Sequence, residues 1–401
     1  MTALNDTFTS TGHKFFAHQE VMAKLRNGQG QPVVTHVMLT DVCQHTCAFC
    51  SVQARAGDSL VFDDVMMYLN ILQRYGLKAV ILSGGGNPIL YKCKKSGANF
   101  NDVVGAIHTR GLEIGLITNG MPLRKYEYRH AFDQSVYEPN DYRVRTTIRE
   151  SWGTVLPDTL DKLTWVRISM AGLDHIEREV YVPDIDPAKT TLGFSYVAHD
   201  LYQEPADPHH GKVSTKLDLL SGDKNRPPDW PFESRMVELM NQIEFYVRIY
   251  KPKYVRLLPN CLEPSLIPRR CEQLQIMADA IDPTIVFVQQ KPPKAPHACY
   301  LGYIHPVLNC DGWVYPCDSC VLNEAAEHQF ANPWRVCRWQ DVASIYDAPV
   351  HSLIADPART CPGCVFHHSN EILKGVRDGE IDPTQYAGYD SGDIPLHANF
   401  V

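Results

Sequence analysis

The chain has 401 residues, of which 44% are hydrophobic and 21% are charged, and its formal net charge is −8. This is the composition of an ordinary globular protein with room for one large domain and one small one. The negative charge disfavours broad binding to duplex nucleic acid, which requires a basic face. No apolar run reaches the roughly 18–20 residues that span a bilayer, and the N-terminus lacks the pattern of a signal peptide, so we expect a cytoplasmic protein with no membrane partner.

The first informative stretch is a cysteine loop that follows an apolar run. Val33–Thr40 predicts a buried strand, and Cys43, Cys47 and Cys50 come directly after it. Three thiolates in one short loop can ligate three irons of a cuboidal iron–sulfur cluster and leave the fourth iron open. A zinc site and three structural cysteines are the alternatives, although zinc sites usually pair two Cys-x2-Cys motifs.

The spacing Cys-x3-Cys-x2-Cys, with the aromatic residue Phe49 before the last cysteine, resembles the signature of radical S-adenosylmethionine (SAM) enzymes. The resemblance implies a [4Fe–4S] cluster held by the three cysteines, SAM bound at the open iron, and electrons from a flavodoxin or ferredoxin. In that family, reductive cleavage of SAM yields a 5′-deoxyadenosyl radical that abstracts hydrogen from the substrate.

Helical and strand patterns alternate along the next two hundred or so residues. Six short apolar strands separated by helices or long connections predict parallel crossover units. The predicted strands are 33–40, 79–83, 113–118, 165–169, 192–197 and 254–258, and the predicted helices are 62–75, 101–109, 232–250 and 269–281. The resemblance sharpens this α/β pattern to a partial (β/α)6 TIM-like barrel, in which chemistry gathers at the C-terminal ends of the strands.

Glycines and polar residues follow several predicted strands. The second strand runs into Gly84, Gly85, Gly86 and Asn87, where glycines permit positive φ and close approach of the backbone; a tight turn is the alternative. The segment resembles the Gly-Gly-Glu-Pro element that holds the SAM amino group in the family, with Asn87 in place of the usual Glu. The residues for which the resemblance implies contact with SAM are Phe49, Gly84, Gly85, Gly86, Asn87, Asn119, Arg167 and Ser169.

Three of these residues have other interpretations. Asn119 and Ser169 are also common turn residues. Arg167 suits either the carboxylate of SAM or a structural ion pair. No catalytic residue is identified from the sequence, but four polar side chains near the predicted strand ends are candidates to face the cavity: Tyr196, His199, Arg256 and Asn260.

Two long inserts, 121–160 and 201–231, interrupt the predicted barrel. The first is rich in Tyr and Arg, which favours base stacking and phosphate contact, but its acidic residues balance its basic ones, so a covering loop is the alternative. The second is proline-rich and irregular. Loops at a barrel rim often form the substrate lid.

A second group of cysteines follows the barrel pattern. Cys299, Gly312 and Cys317 have the spacing Cys-x12-Gly-x4-Cys, and Cys361 and Cys364 form a later Cys-x2-Cys. This pattern resembles the twitch domain, a shorter relative of the SPASM domain, of some radical SAM enzymes. The resemblance implies one auxiliary [4Fe–4S] cluster held by these four cysteines.

Alternatives remain within this second group. Cys310 or Cys320 could replace Cys299 or Cys317 as a ligand, the role of Cys337 is open, and a structural zinc site is the alternative to a cluster. Residues 309–317 predict a β-hairpin with an Asp-Gly turn, and 344–346 with 350–355 predict a helix.

These patterns divide the chain into five parts. They are a polar lead-in with one amphipathic segment (1–30), the barrel with its inserts (31–260), a connecting helix (261–298), the auxiliary-cluster domain (299–370) and a loose acidic tail (371–401).

A fully ligated auxiliary cluster suits the removal of an electron from a substrate radical. We therefore expect a radical SAM oxidoreductase or mutase that acts on a small polar metabolite or nucleoside-type substrate. Modification of a macromolecule, either a ribosomal peptide or a base in DNA or RNA, is the first alternative. A non-catalytic iron–sulfur sensor or scaffold is the alternative from another class.

Overall fold

The computed structural model describes residues 7–10, 12–50, 52, 55–121, 155–174, 180–200, 232–290, 293–321, 334–361, 363–390 and 397–401. Most of both inserts, and the side chain of Cys320, lie outside the described part, so the predictions made for them stay predictions. The strands are β1 Val34–Val37, β2 Ala79–Leu82, β3 Glu113–Thr118, β4 Trp165–Ser169, β5 Thr191–Ala198, β6 Tyr254–Pro259, β7 Val286–Val288, β8 Val307–Leu308, β9 Trp313–Tyr315 and β10 Cys337–Arg338.

Helices lie between most of the parallel strands, and those within 62–74, 100–108, 232–250 and 267–281 match helices predicted from the apolar periodicity. They are α1 Gln19–Arg26, α2 Phe62–Arg74, α3 Phe100–His108, α4 Pro157–Leu160, α5 Phe232–Tyr250, α6 Ile267–Ile281, α7 Leu301–Ile304, α8 Ala343–Asp347, α9 Pro357–Thr360 and α10 His367–Asp378. None of the helices among the described residues is long and apolar enough to cross a membrane.

Strands β1 to β7 pair in parallel in chain order, which confirms an α/β fold of the partial-barrel type. The prediction of six strands is corrected, because Val286–Val288 adds a seventh strand that pairs with β6. Residues 261–298 are therefore more than a connecting helix. A strand of three residues is too short to show a periodicity in the sequence.

The chain segments at both ends close the base of the barrel, at the N-terminal ends of its strands. The ring of Phe8 stacks on Tyr254 with centroids 4.3 Å apart, and Phe400 packs against Trp165 at 5.1 Å. Nearby, Lys14 is buried and donates to the carbonyl of Phe400 over 3.1 Å. The polar lead-in and the loose tail expected from the sequence are therefore corrected, since described parts of both are packed into the base.

The hairpin that carries Cys317 belongs to the same sheet as the barrel. Strand β8 pairs in parallel with β1, through His36 with Val307, and in antiparallel with β9. The turn between β8 and β9 is the predicted one, with Gly312 at φ 77°. The predicted helix over 350–355 is not formed, because Val350 and Leu353 donate their backbone N–H groups to the distant carbonyls of Gly28 and Cys299.

Candidate iron–sulfur and SAM site

The cysteine loop leaves the C-terminal end of β1 and is anchored where it returns. The hydroxyl of Thr40 donates to the carbonyl of Asp58 over 2.8 Å, and Asp41 Oδ2 accepts from the N–H of Ala56 over 2.7 Å. Both anchoring side chains are buried. The loop is thus closed by two buried side chains that sit just before its first cysteine.

The three cysteines of this loop lie within electrostatic range of one another. Burial, followed by the charges of Cys50 and Cys43, raises the pKa of the Cys47 thiol well above its ordinary value. Burial also raises the pKa of Cys43. The charges of Cys50 and Cys43 thus disfavour ionisation of the Cys47 thiol, and a cationic iron–sulfur core would compensate this repulsion, so the residues present fit such a group.

No three His, Cys, Asp or Glu side chains in the described part of the chain are close enough to hold a single metal ion. A cuboidal cluster makes a different demand, because each of its cysteines ligates a different iron.

Arg55 is a part of this site that the sequence analysis missed. Its Nη1 donates to the carbonyl of His45 over 2.8 Å, and its Nη2 donates to Cys50 Sγ over 3.3 Å. The guanidinium therefore spans the cysteine loop and places a positive charge beside one sulfur. The only signal in the sequence is an arginine five residues after the last cysteine.

The glycine segment after β2 lies directly against the cysteine loop. The N–H of Gly86 donates to the carbonyl of Thr40, and that of Asn87 donates to the carbonyl of Val42, each over 2.8 Å. A Cβ atom on Gly86 would lie 2.0 Å from Val42 O, so only glycine fits there. These two amides are therefore occupied by the protein and are not available to a ligand.

Asn87 is the buried centre of a polar network between three loops. Its Oδ1 accepts from the hydroxyl of Thr118 over 2.8 Å, and its Nδ2 donates to Asn119 Oδ1 over 2.9 Å and to Gln44 Oε1 over 3.3 Å. Gln44 in turn donates to Asn119 Oδ1 over 2.6 Å, and Asn119 Nδ2 lies 3.9 Å from Cys43 Sγ. A glutamate at position 87 could not make the two donations, which is a physical reason for the departure from the Glu of the family.

The remaining SAM candidates lie on β4 and in the cysteine loop. Ser169 ends β4 opposite Ser195 on β5, and Arg167 lies two residues earlier, 5.5 Å from the ring centre of Trp165. Phe49 lies on the other side of the cysteine loop, where its ring packs on His199 with centroids 4.9 Å apart.

His199 belongs to a fully buried ionic group that the sequence did not reveal. Its Nε2 lies 3.5 Å from Asp174 Oδ2, while Asp174 Oδ1 accepts from Tyr196 over 2.9 Å and from Arg235 over 3.4 Å. Burial opposes ionisation of Asp174, but His199 and Arg235 hold its pKa below the ordinary value.

Two of the four polar candidates for the cavity are already hydrogen-bonded within the protein. Tyr196 is not available to it, because its hydroxyl is held by Asp174 in the core. Asn260 is also buried, and its Nδ2 donates to Glu263.

The second set of predicted ligands also comes together. Burial, followed by the charges of Cys317, Cys361 and Cys364, raises the pKa of Cys299 well above its ordinary value. The backbone fixes both ends of the set, since the N–H of Cys299 donates to Ser352 Oγ over 3.0 Å and the carbonyl of Cys364 accepts from Lys294 over 3.2 Å.

The other described cysteines of this region have different surroundings. After burial, the groups that raise the pKa of Cys310 are Asp41, Asp311 and Asp58, and for Cys337 the group is Asp341. Among the described cysteines of this region, those spaced as in the resemblance are thus the ones that act on Cys299, which favours that set over one that includes Cys310.

Comparison with known proteins agrees with this geometry. Residues 37–134 match the family model of the Radical SAM superfamily. The chain therefore carries a radical SAM domain, and the match includes the cysteine loop, the glycine segment and Asn119. Members of this superfamily use a [4Fe–4S] cluster together with SAM, the cofactors expected from the sequence. No curated protein matches the sequence.

Solved structures with a similar course of the chain include two complexes with bound peptides. Streptococcus suis SuiB bound to precursor peptide SuiA is 12% identical, with a TM-score of 0.46 over 82% of this chain and 68% of that chain. Native anSMEcpe with bound AdoMet and Cp18Cys peptide is 14% identical, with a TM-score of 0.46 over 92% of this chain and 100% of that chain.

Proposed function

We propose that this protein is a radical SAM oxidoreductase or mutase that abstracts hydrogen from a small polar metabolite or nucleoside-type substrate. The observation that carries the proposal is the group of three interacting thiols, Cys43, Cys47 and Cys50, beside the glycine segment after β2. When bound, a [4Fe–4S] cluster receives an electron, from flavodoxin or ferredoxin, and supplies the reductive cleavage of SAM to methionine and a 5′-deoxyadenosyl radical.

The residues around the cluster would hold SAM in place. The carbonyl oxygens of Gly84 and Gly85 would accept hydrogen bonds from its amino group, while the amides of Gly86 and Asn87 serve the cysteine loop. Asn87 fixes this segment to Asn119, so that both loops are presented as one surface. We assign contacts with the rest of SAM to Phe49, Gly86 and Ser169, whereas Arg167 interacts electrostatically with Arg256 on β6.

We also propose that Cys299, Cys317, Cys361 and Cys364 hold an auxiliary [4Fe–4S] cluster. The charges of the other three thiols raise the pKa of Cys299, which supports this set. A cluster with all four irons ligated by protein is suited to electron transfer and would accept the surplus electron of a substrate radical. Its segment, 299–370, would then act as a second functional unit beside the barrel, 31–260.

The decisive experiment measures iron, sulfide and 5′-deoxyadenosine in anaerobically reconstituted protein. We expect about eight irons per chain in the wild type, and about four with no 5′-deoxyadenosine after replacing Cys43, Cys47 and Cys50 by alanine. Replacing Cys93, Cys261 and Cys271 by alanine is the matched control and should leave both values unchanged. Clusters without SAM cleavage in the wild type would instead support the sensor or scaffold.

Substrate class is tested in the same preparation. A peptide or nucleic acid that co-purifies and binds with an affinity that falls steeply with salt would replace the small-molecule proposal by the macromolecular one. Formation of 5′-deoxyadenosine that rises with a small polar metabolite, and not with peptide or nucleic acid, supports the proposal as made.

A further inference from the structure

Four polar side chains from separate parts of the chain meet inside the barrel. His36 lies on β1, Arg167 on β4, Arg256 on β6, and Asp318 directly after the hairpin cysteine Cys317. The strand register puts the first three on the inner face: Arg256 pairs with Phe287, which packs with Tyr254 and Phe8 at the barrel base. Charge interactions connect Arg167 with both His36 and Arg256, and Asp318 with the same two residues.

The balance of charge in this group is positive. Burial lowers the pKa of His36, Asp318 acts in the opposite direction and Arg167 in the same one, so the imidazole is neutral at pH 7. Burial, and after it the charge of Arg167, lowers the pKa of Arg256 well below its ordinary value. A guanidinium nevertheless keeps its proton in proteins. Two arginines and one aspartate therefore leave one positive charge without a counter-charge among these four groups.

The hydrogen bonds of the group are also incomplete. Arg256 Nη1 donates to Gln289 Oε1 over 2.6 Å, which orients its guanidinium. The Nε atoms of Arg167 and Arg256 and Oδ1 of Asp318 are buried without a hydrogen-bond partner in the described part of the chain. Buried charges and donors in folded proteins are normally paired, so the group is suited to a ligand that supplies acceptors.

The base side of the two arginines offers little room for a ligand. On the base side, a cavity of about 40 Å³ beneath Arg167 is lined by Phe8, Trp165 and Tyr254 and has room for little more than a water molecule. Both arginine side chains keep some exposure, and the strands that carry them are parallel to β1, which leads into the cysteine loop. A molecule that is held by the arginines and extends along these strands would therefore point toward the end of the barrel where we propose that SAM is cleaved.

We propose that the substrate carries an anionic group, a carboxylate or a phosphate ester, and that Arg256 with Arg167 binds this group inside the barrel. The inference rests on the proposed function for the identity of the ligand as substrate, but the anion site itself is independent of turnover. A guanidinium pair binds either group through paired N–H donors and neutralises the surplus charge. The substrate class is thereby narrowed from small polar molecules to anionic ones.

The first test uses reconstituted holoenzyme without SAM, with inorganic phosphate and succinate as probes at constant ionic strength. In the wild type, both anions should raise the melting temperature relative to chloride. In Arg256→Met the rise should be lost, while the melting temperature in chloride stays equal or increases, because an uncompensated charge has been removed. Arg110→Gln, which alters an arginine at the end of α3, is the control and should respond as the wild type.

The second test separates the substrate from SAM as the source of the anion. If the arginines serve the substrate, Arg256→Met binds SAM within about twofold of the wild type, since no charge-assisted contact to SAM is lost. A tenfold or greater loss of SAM affinity, with decarboxylated SAM bound equally by both proteins, assigns the arginines to SAM and overturns the proposal. A wild type that responds to neither anion also overturns it.

Failure of the anion site and failure of the proposed function give different results. If the wild type forms 5′-deoxyadenosine but shows no anion response, the proposed function stands and the anion site is excluded. If the wild type responds to the anions but never cleaves SAM, the anion site stands and the proposed function is excluded. Arg167→Met provides a second variant if Arg256→Met does not fold, and it should likewise abolish the anion response.

Discussion

Arg55 and Cys50 are joined by a hydrogen bond, with 3.3 Å between Nη2 and Sγ. A cationic donor at a cluster sulfur stabilises the reduced state, which carries one more negative charge. We therefore expect Arg55→Met to lower the reduction potential of the first cluster by several tens of millivolts. Anaerobic redox titration followed by electron paramagnetic resonance measures the shift. Arg55→Lys keeps the charge and should shift the potential less; equal potentials in all three proteins would exclude the effect.

Replacement of Gly86 tests the contact between the glycine segment and the cysteine loop. An alanine Cβ would lie 2.0 Å from the carbonyl oxygen of Val42, so the loop must move. We expect Gly86→Ala to cost several kcal/mol of stability and to reduce iron retention. Gly105→Ala is the matched control: it lies within α3 with nothing within 4 Å of its Cβ position, and should be neutral or stabilising by about 0.5–1 kcal/mol. Similar iron contents in the two variants would contradict the expected clash.

The amide of Asn87 can be tested by an isosteric change. Asn87→Asp turns the donor to Asn119 and Gln44 into an acceptor and sets a carboxylate against their oxygens. The expected cost is about 1–3 kcal/mol, with weaker SAM binding because the two loops separate. Isothermal titration under anaerobic conditions measures SAM affinity. Asn99→Asp is the control, since Asn99 caps α3 and aspartate caps helices equally well.

The set of auxiliary ligands is tested by comparing two cysteines of the hairpin. Cys317→Ala should remove about four irons per chain and leave the first cluster intact, because Cys317 interacts with Cys299 and Cys364 of the set. Cys310→Ala should leave the iron content unchanged. The reverse result would exchange the roles of the two residues and reinstate an alternative that the sequence left open.

Acidification should destabilise the barrel base through His397. Burial, and after it the charge of Lys14, lowers the pKa of His397 from 6.5 to about 4. As the pH falls from about 6.5 toward 4, the unfolded chain binds a proton that the folded chain does not, so the free energy of unfolding falls by at most about 1.4 kcal/mol per pH unit from this group. Its contribution is complete above pH 6.5.

His397→Asn removes this proton uptake and tolerates the positive φ of 64° at that position. Urea unfolding between about pH 7.5 and 5.5 should therefore show a smaller loss of stability in the variant than in the wild type. His108→Asn, at an exposed helix end, is the control. An unchanged pH slope in His397→Asn would show that the histidine is already protonated in the folded state.

The sequence predicts the bounds of helices and strands well where an element is long enough to show its periodicity several times. Strands 113–118 and 165–169 and helix 232–250 have the predicted bounds. It fails for β7, which has only three residues, and for 350–355, whose backbone bonds go to partners remote in sequence. Such contacts have no local pattern, so only the folded chain reveals them.

The candidate site likewise contains residues that the sequence predicts and residues that only the structure reveals. Cysteine spacing indicates which thiols lie together, because the chemistry of the group demands a fixed number of ligands at short range. It does not indicate Arg55, whose role depends on the path of the loop, or the pairing of Arg167 with Arg256, which depends on the register of three strands. The periodicity of a strand does not show which charged residues of different strands meet inside the barrel.

The pairing of β8 with β1 has a consequence for any attempt to shorten the protein. A chain that ended before Val307 would expose the hydrogen-bonding edge of β1, next to the first cysteine loop. Uncovered strand edges recruit other chains, so such a fragment is expected to aggregate rather than to yield a smaller working enzyme. The hairpin therefore covers the edge of β1 in addition to carrying Cys317.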